Sequence, residues 1–174
     1  MLPICRPEVD QVCYNLLFRA PEYELLPVCI ENEVSVLCYS PLAEALLTGK
    51  FANPDEVPAG RARTRHFSRD REQVRHDEAG AEQETFEAVD RVRQVAGRLG
   101  LPMAQVALAW LIRQGGVTSV IAGARSARQA RENAAAAEVE LPDDVLAELA
   151  GATEPLKQKL GASLDPWQSK SRIR

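Results

Sequence analysis

The chain has 174 residues, 45% of them hydrophobic, and a formal net charge of −4. That length supports one hydrophobic core and a single domain, and the mild acidity argues against nucleic acid or another polyanion as partner. No apolar run approaches the roughly 20 residues that span a membrane, and Met1–Ile4 has neither the length nor the flanks of a signal peptide, so a cytoplasmic protein is expected.

Four cysteines, Cys5, Cys13, Cys29 and Cys38, are too widely spaced for a C-x-x-C zinc or redox site and read as buried thiols. Val9 to Leu17 alternates loosely and is rich in β-formers, as in a strand running into a loop. Pro21-Glu22 opens a helix reaching Asn32. Val34 to Cys38 is a compact apolar run typical of a parallel strand, ending at Tyr39-Ser40-Pro41. A helical turn follows over Leu42 to Leu47. Gly49 to Gly80 is polar, with no sustained apolar period, and reads as a long loop.

From Ala81 the helical period returns, with Phe86, Val89, Val92, Ala96 and Leu99 on one face and Gly100 placed to end the helix. Pro102 starts a second helix with Val106, Ala107, Trp110 and Leu111 as its apolar face, and Gly115-Gly116 stops it. Val117 to Ala122 is a strand. Ser126 caps a helix to about Ala137, Pro142-Asp143-Asp144 begins a further short one, and a polar tail is expected from Pro155. The expected organisation is one domain over residues 1–154 and a tail over 155–174.

Strands separated by helices, without hairpin signals, make βα units and a parallel sheet. The fold class is therefore α/β. Three strands are too few for a complete (β/α)8 barrel, and no G-x-G-x-x-G turn follows the first strand as a doubly wound sheet would require. The stretch VIAGARSARQARENAAAA, Val120 to Ala137, joins a strand end, a glycine turn and an arginine-rich helix start. Unpaired amides at a helix start and nearby guanidinium groups attract phosphate. A phosphate turn after the last strand suits the C-terminal portion of a TIM barrel, with about three parallel strands and their helices.

The segments QVCYNLLFR (Gln11–Arg19), YSPLAEALLTGK (Tyr39–Lys50) and AQVALAWLIRQGGVTSVIAGARSARQARENAAAAEVEL (Ala104–Leu141), in that order, resemble the second half of an NADP-dependent aldo-keto reductase. The likeness extends from Glu8 to Ala150. It implies that Gln11 bonds the nicotinamide carboxamide, a role its amide's donor and acceptor can fill. It further implies that the nicotinamide ring stacks on Tyr39, that Ser40, Pro41 and Leu42 wrap the pyrophosphate, and that Lys50 reaches a phosphate. Gly123 forms the last turn, Arg125 contacts the adenosine 2′-phosphate, and Gln129, Glu132 and Asn133 contact the adenine and its ribose. A guanidinium beside a 2′-phosphate favours NADP(H) over NAD(H) as cofactor. Glycine commonly stands in relatives at the position of Ala45, where a methyl group interferes if the backbone needs a positive φ.

For each of these residues a plain structural role is the alternative: a strand end for Gln11, a core aromatic for Tyr39, a solvated face for the arginine-rich helix. The run Arg61 to His76 holds six arginines against two acids. A solvated mobile loop is the expectation there; the resemblance adds that Arg61 or Arg63 touches a cofactor phosphate. His66 and His76 have no nearby ligand set, so no metal is expected. The resemblance places the tyrosine, lysine, aspartate and histidine of carbonyl reduction in the N-terminal half, and no catalytic residue is assigned to this chain. The expected function is the NADP(H)-binding portion of an aldehyde or ketone reductase, inactive without the other half, which a longer protein or a separate chain would supply; besides the dinucleotide, the expected partner is that half or a second copy of this chain. The alternatives are a non-catalytic NADPH-binding module resembling potassium-channel β subunits, or a truncated product without function.

Overall fold

A computed structural model describes residues 5–168. Its sheet has three parallel strands in the order β1 (Val9–Cys13), β2 (Ser35–Tyr39), β3 (Val117–Val120). Cys13 pairs with Tyr39 and Gln11 with Leu37, while β2 meets β3 through an irregularity between Val36 and Leu37. The helices are α1 (Leu25–Glu31), α2 (Glu82–Leu99), α3 (Met103–Ile112), α4 (Ala127–Ala135) and α5 (Asp143–Leu160). This α/β architecture of parallel strands and crossover helices is part of a (β/α)8 barrel, as the sequence suggests.

The strand expected to reach Leu17 ends at Cys13, because Asn15 turns the chain. Its side-chain Oδ1 accepts from the amides of Leu17 and Phe18, each at 2.9 Å, and its backbone pairs with Phe18. A side chain that satisfies two backbone donors competes with the ladder and wins at a strand end. On β2, Val36 and Cys38 face the helices and are fully buried, whereas Leu37 and Tyr39 face the other way and are half-buried. That second face corresponds to a barrel's interior. With three strands it is partly open, and Gln11 is exposed on it.

The core is built by α3 and α1 against the sheet, with α2 packed on α3 and α5 on α2. Trp110 of α3 is fully buried, edge-on to Tyr14 with ring centroids 5.9 Å apart, and its Nε1 donates to the Leu146 carbonyl at 3.3 Å. No single described helix is long and apolar enough to cross a membrane. The α2–α3 pair passes that test only across a 98° bend, and seven of the ten α3 residues are buried in the core.

Two expectations change. The polar tail does not begin at Pro155, since α5 runs through that proline to Leu160. Val145, Leu149, Leu156 and Leu160 step by four, seven and four and are buried, so the apolar face continues past the missing N–H. Arg19 Nη1 takes the nearby Ala150 carbonyl at 2.7 Å. The remainder of the expected tail, residues 169–174, lies outside the described residues. The arginine-rich segment is likewise no solvated loop. Ala62, Thr64, Arg65, His66, Phe67 and His76 are buried, and Arg65 bonds Glu78 at 2.9 Å and the Leu160 carbonyl at 2.7 Å. Arg65 and Arg71 are paired with Glu78 and Glu82, and this allows the buried part of the segment to pack.

Candidate functional site

Of the residues singled out from the sequence, Gln11 lies within β1, Tyr39 ends β2, Ser40 to Lys50 follow it, and Gly123 to Asn133 follow β3. A parallel strand's C-terminal end leads into the loop that caps a barrel, so side chains there converge while those at the other end do not. Gln11 and Tyr39 share the open face, since Tyr39 pairs with Cys13 and Gln11 lies two residues earlier on β1. Burial raises the Tyr39 hydroxyl above its ordinary value, with lesser contributions from Cys13 and Asp165.

Among the described residues, the turn after β2 holds four of the six non-glycine residues with positive φ. Ser40, Ala43, Glu44 and Ala45 all have positive φ, at 50°, 47°, 53° and 76°. L-residues avoid this region because Cβ crowds the following carbonyl, so three in succession mark a turn held by its surroundings. Asn15 Nδ2 donates to the Ser40 carbonyl at 3.0 Å, the Ala43 amide bonds the same oxygen at 3.0 Å, and Thr48 Oγ1 donates to the Ala45 carbonyl at 2.7 Å. Pro41 is buried and Leu42 half-buried at the start of this turn. Lys50 follows, exposed, with Nζ 5.5 Å from the centre of the Phe51 ring.

After β3 the chain exposes Gly123, Arg125, Gln129 and Glu132, while Asn133 is half-buried. Ser126 caps α4, its Oγ accepting from the Gln129 amide at 3.2 Å. Gln129 Oε1 accepts from the Arg125 amide at 2.8 Å, and Asn133 Nδ2 donates to the Gly123 carbonyl at 3.1 Å. These two side chains brace the turn against the helix. Glu132 pairs with Arg128 at 3.0 Å, whereas the Arg125 guanidinium has no ion pair among the described residues.

One face of the Tyr39 ring is covered. Trp167 lies parallel to it, with 3° between planes and 6.5 Å between ring centroids. Behind the pair is a cavity of about 20 Å³, lined by Cys13, Asn15, Ser40, His66, Phe67 and Trp167 among others. His66 is held by two bonds. The Leu17 carbonyl at 2.9 Å can only accept, so Nε2 carries the proton, and Nδ1 accepts from Thr64 Oγ1 at 2.9 Å. Burial pushes this imidazole down to about 4, with lesser lowering contributions from the neighbouring Arg65 and His76. Cys13 and Cys38 are pushed up to about 12 by burial, leaving both as unreactive thiols.

Sequence reading gave Asn15, His66 and Trp167 no role in the site. Asn15 lies within the quoted QVCYNLLFR segment and signals a turn by its residue type. Trp167 stands in a polar stretch with no periodic signal, and nothing local ties it to Tyr39. Among the described residues no three His, Cys, Asp or Glu side chains form a metal-binding group.

Comparison with known proteins gives the class. Residues 2–154 match the aldo/keto reductase family, and the chain belongs to it. It is 34% identical over 140 residues to an NADH-specific methylglyoxal reductase of Escherichia coli (strain K12), covering 78% of this chain and 39% of that one. It is 27% identical over 164 residues to a Schizosaccharomyces pombe protein named aldo-keto reductase yakc [NADP(+)], covering 94% of this chain and 46% of that one. A crystal structure of a thermostable aldo-keto reductase with the inhibitor epalrestat superposes with a TM-score of 0.56 at 25% identity, covering 83% of this chain and 39% of the other. The chain thus spans less than half the length of the relatives it matches.

Proposed function

We propose that this chain supplies the NADP(H)-holding part of an aldo-keto reductase that reduces aldehydes or ketones by hydride transfer. One observation carries the reading: Arg125, without an acidic partner among the described residues, stands beside the Ser126-capped start of α4, at the sheet end where Tyr39 also stands. Free helix-start amides and a guanidinium fork suit a phosphate ester. The two relatives named above carry different dinucleotides in their names, so the choice in this chain rests on its own residues. With NADH the Arg125 guanidinium faces no anion; with NADPH it gains a charge-assisted partner.

The bound dinucleotide supplies the hydride, and the chain's residues bind and orient it. Gln11 presents an amide on the open sheet face, and Tyr39 offers a flat ring beside it. A second ring takes the place of Trp167 if it stacks on the face of Tyr39 that Trp167 covers. None of the three tyrosines is assigned as the proton donor to a carbonyl: the Tyr14 hydroxyl donates to Glu22 at 2.8 Å and is raised by burial, the Tyr23 hydroxyl lies on the Lys157 carbonyl at 3.4 Å, and Tyr39 is stacked on Trp167. The acid for the reaction belongs to a complementing half of the barrel, covalently joined or separate.

The test is a fluorescence titration of the chain with NADPH and with NADH, following tryptophan emission. Trp167 leaving Tyr39 changes its surroundings, whereas Trp110 stays in the core. Binding of NADPH at least tenfold tighter than NADH is expected, about 1.4 kcal/mol, with the difference erased in Arg125→Ala. Equal affinity for both dinucleotides, or preference surviving in Arg125→Ala, overturns the assignment.

A further inference from the structure

Two of the six arginines between Arg61 and His76 have no place in the packing described above. Arg65 and Arg71 are bound to Glu78 and Glu82. Arg69 donates to the Asp77 carbonyl at 2.9 Å, and Arg61 to the Glu44 carbonyl at 3.3 Å. Arg63 and Arg75 are exposed and, among the described residues, take part in no ion pair or side-chain hydrogen bond, yet they line one cleft of about 230 Å³ with Gln73 and Trp167.

Two guanidinium groups on one concavity repel each other, and an anion between them turns that repulsion into attraction. Gln73 adds an amide donor and Trp167 an indole surface suited to apolar or π contact. The nearest acid in sequence to Trp167, Asp165, accepts from the Trp167 amide at 2.8 Å and is not among the lining residues. The cleft is thus lined by two cations, an amide and an aromatic ring, in a chain whose net charge is −4.

Its position separates it from the α4 turn. The Thr64–Phe67 segment packs on the loop after β1, with His66 on the Leu17 carbonyl and against Phe18, and Pro166 is tied to the same segment by the Arg65 amide at 2.8 Å. Arg125 and α4 follow β3. β1 and β3 are the two outer strands, with Tyr39 at the end of β2 between them. Trp167 links cleft and Tyr39, being both a wall of the cleft and the ring stacked on that tyrosine.

We propose that Arg63, Gln73, Arg75 and Trp167 form a binding site for the anionic group of a small ligand, a phosphate or carboxylate whose remaining atoms lie along the indole. On the function proposed above, that ligand is the substrate, a phosphorylated or carboxylated carbonyl compound entering from the β1 side. The anion site itself stands without that reading.

Calorimetric titration of the full chain with phenyl phosphate, inorganic phosphate and phenol tests it. Phenyl phosphate is expected to bind, inorganic phosphate to bind more weakly, and phenol not at all. The Arg63→Ala/Arg75→Ala double variant should lose at least tenfold in affinity for phenyl phosphate. Trp167→Ala should weaken phenyl phosphate while leaving inorganic phosphate unchanged. Because the arginines are exposed, the double variant should keep the parent's circular dichroism; a second form, Arg63→Lys/Arg75→Lys, retains charge and should recover part of the binding. No binding of phenyl phosphate, or binding indifferent to the double alanine variant, overturns the site. If NADPH displaces phenyl phosphate one for one, the cleft seats a cofactor phosphate and the substrate assignment is overturned. If NADPH fails to bind while phenyl phosphate binds through the arginines, the proposed function falls and the anion site remains.

Discussion

Ala45 gives a substitution whose sign is opposite to the ordinary one. It sits at φ 76°, ψ 8°, in the left-handed region, where an L-residue pays about 1–2 kcal/mol through its Cβ. Replacing it with glycine releases that strain. Against this, glycine widens the unfolded ensemble by about 0.4–1 kcal/mol, and loss of a half-buried methyl removes a few tenths more. The balance favours Ala45→Gly by about 0.5 kcal/mol, which raises Tm by about 1–2 °C for a chain of this size. The Ala45 carbonyl still accepts from Thr48, so the turn keeps its bonds. Ala130→Gly, in the exposed α4 helix, is the control and should cost about 1 kcal/mol. Urea unfolding of the two variants beside the parent measures both. A destabilised Ala45→Gly, by as much as the helical control, would refute the claim that the fold strains this turn.

Other substitutions probe the packing that places the site. Acid should weaken the fold through His66, whose imidazole is pushed from 6.5 to about 4 by burial. The unfolded chain takes up a proton that the folded one refuses, so this contribution is complete above pH 6.5 and falls by about 1.4 kcal/mol per unit, roughly 3 kcal/mol in all, as pH drops toward 4. His66→Gln should flatten that part of the stability profile, and an unchanged slope would count against the buried neutral imidazole. Gly80→Ala, at φ 81°, drives a Cβ onto the Phe67 carbonyl and within 2.7 Å of the Ser68 amide; a loss above about 2 kcal/mol in denaturant unfolding is expected. Arg19 holds Glu22 at 2.7 Å and Thr153 at 3.1 Å, joining the loop after β1 to α5. Arg19→Met leaves a half-covered carboxylate against Lys157 and should cost about 3 kcal/mol, and a cost below 1 kcal/mol would show that Lys157 suffices alone.

Local chemistry was enough to read the parallel strands, the long helices and their stops, because each depends on periods and residue types within a few positions. Gly100 ends α2 in the left-handed conformation its lack of a side chain permits, and Ser126 caps α4 through its own hydroxyl. The continuation of α5 past Pro155 was also legible, in the spacing of Leu149, Leu156 and Leu160, but a proline outweighed it. What no local pattern could disclose lies between residues far apart in the chain. The left-handed turn at Ala43–Ala45 exists because Asn15, on another strand's loop, holds Ser40. The arginine-rich segment packs because Leu160 and Glu78 accept from Arg65. Trp167 reaches Tyr39 in a segment held by the Arg65 amide on the Pro166 carbonyl. Sequence determines which segments are helix or strand through short-range sterics and periodicity. Which side chains share a site is decided by the tertiary structure, since those contacts depend on how the sheet and helices bring distant loops to one edge.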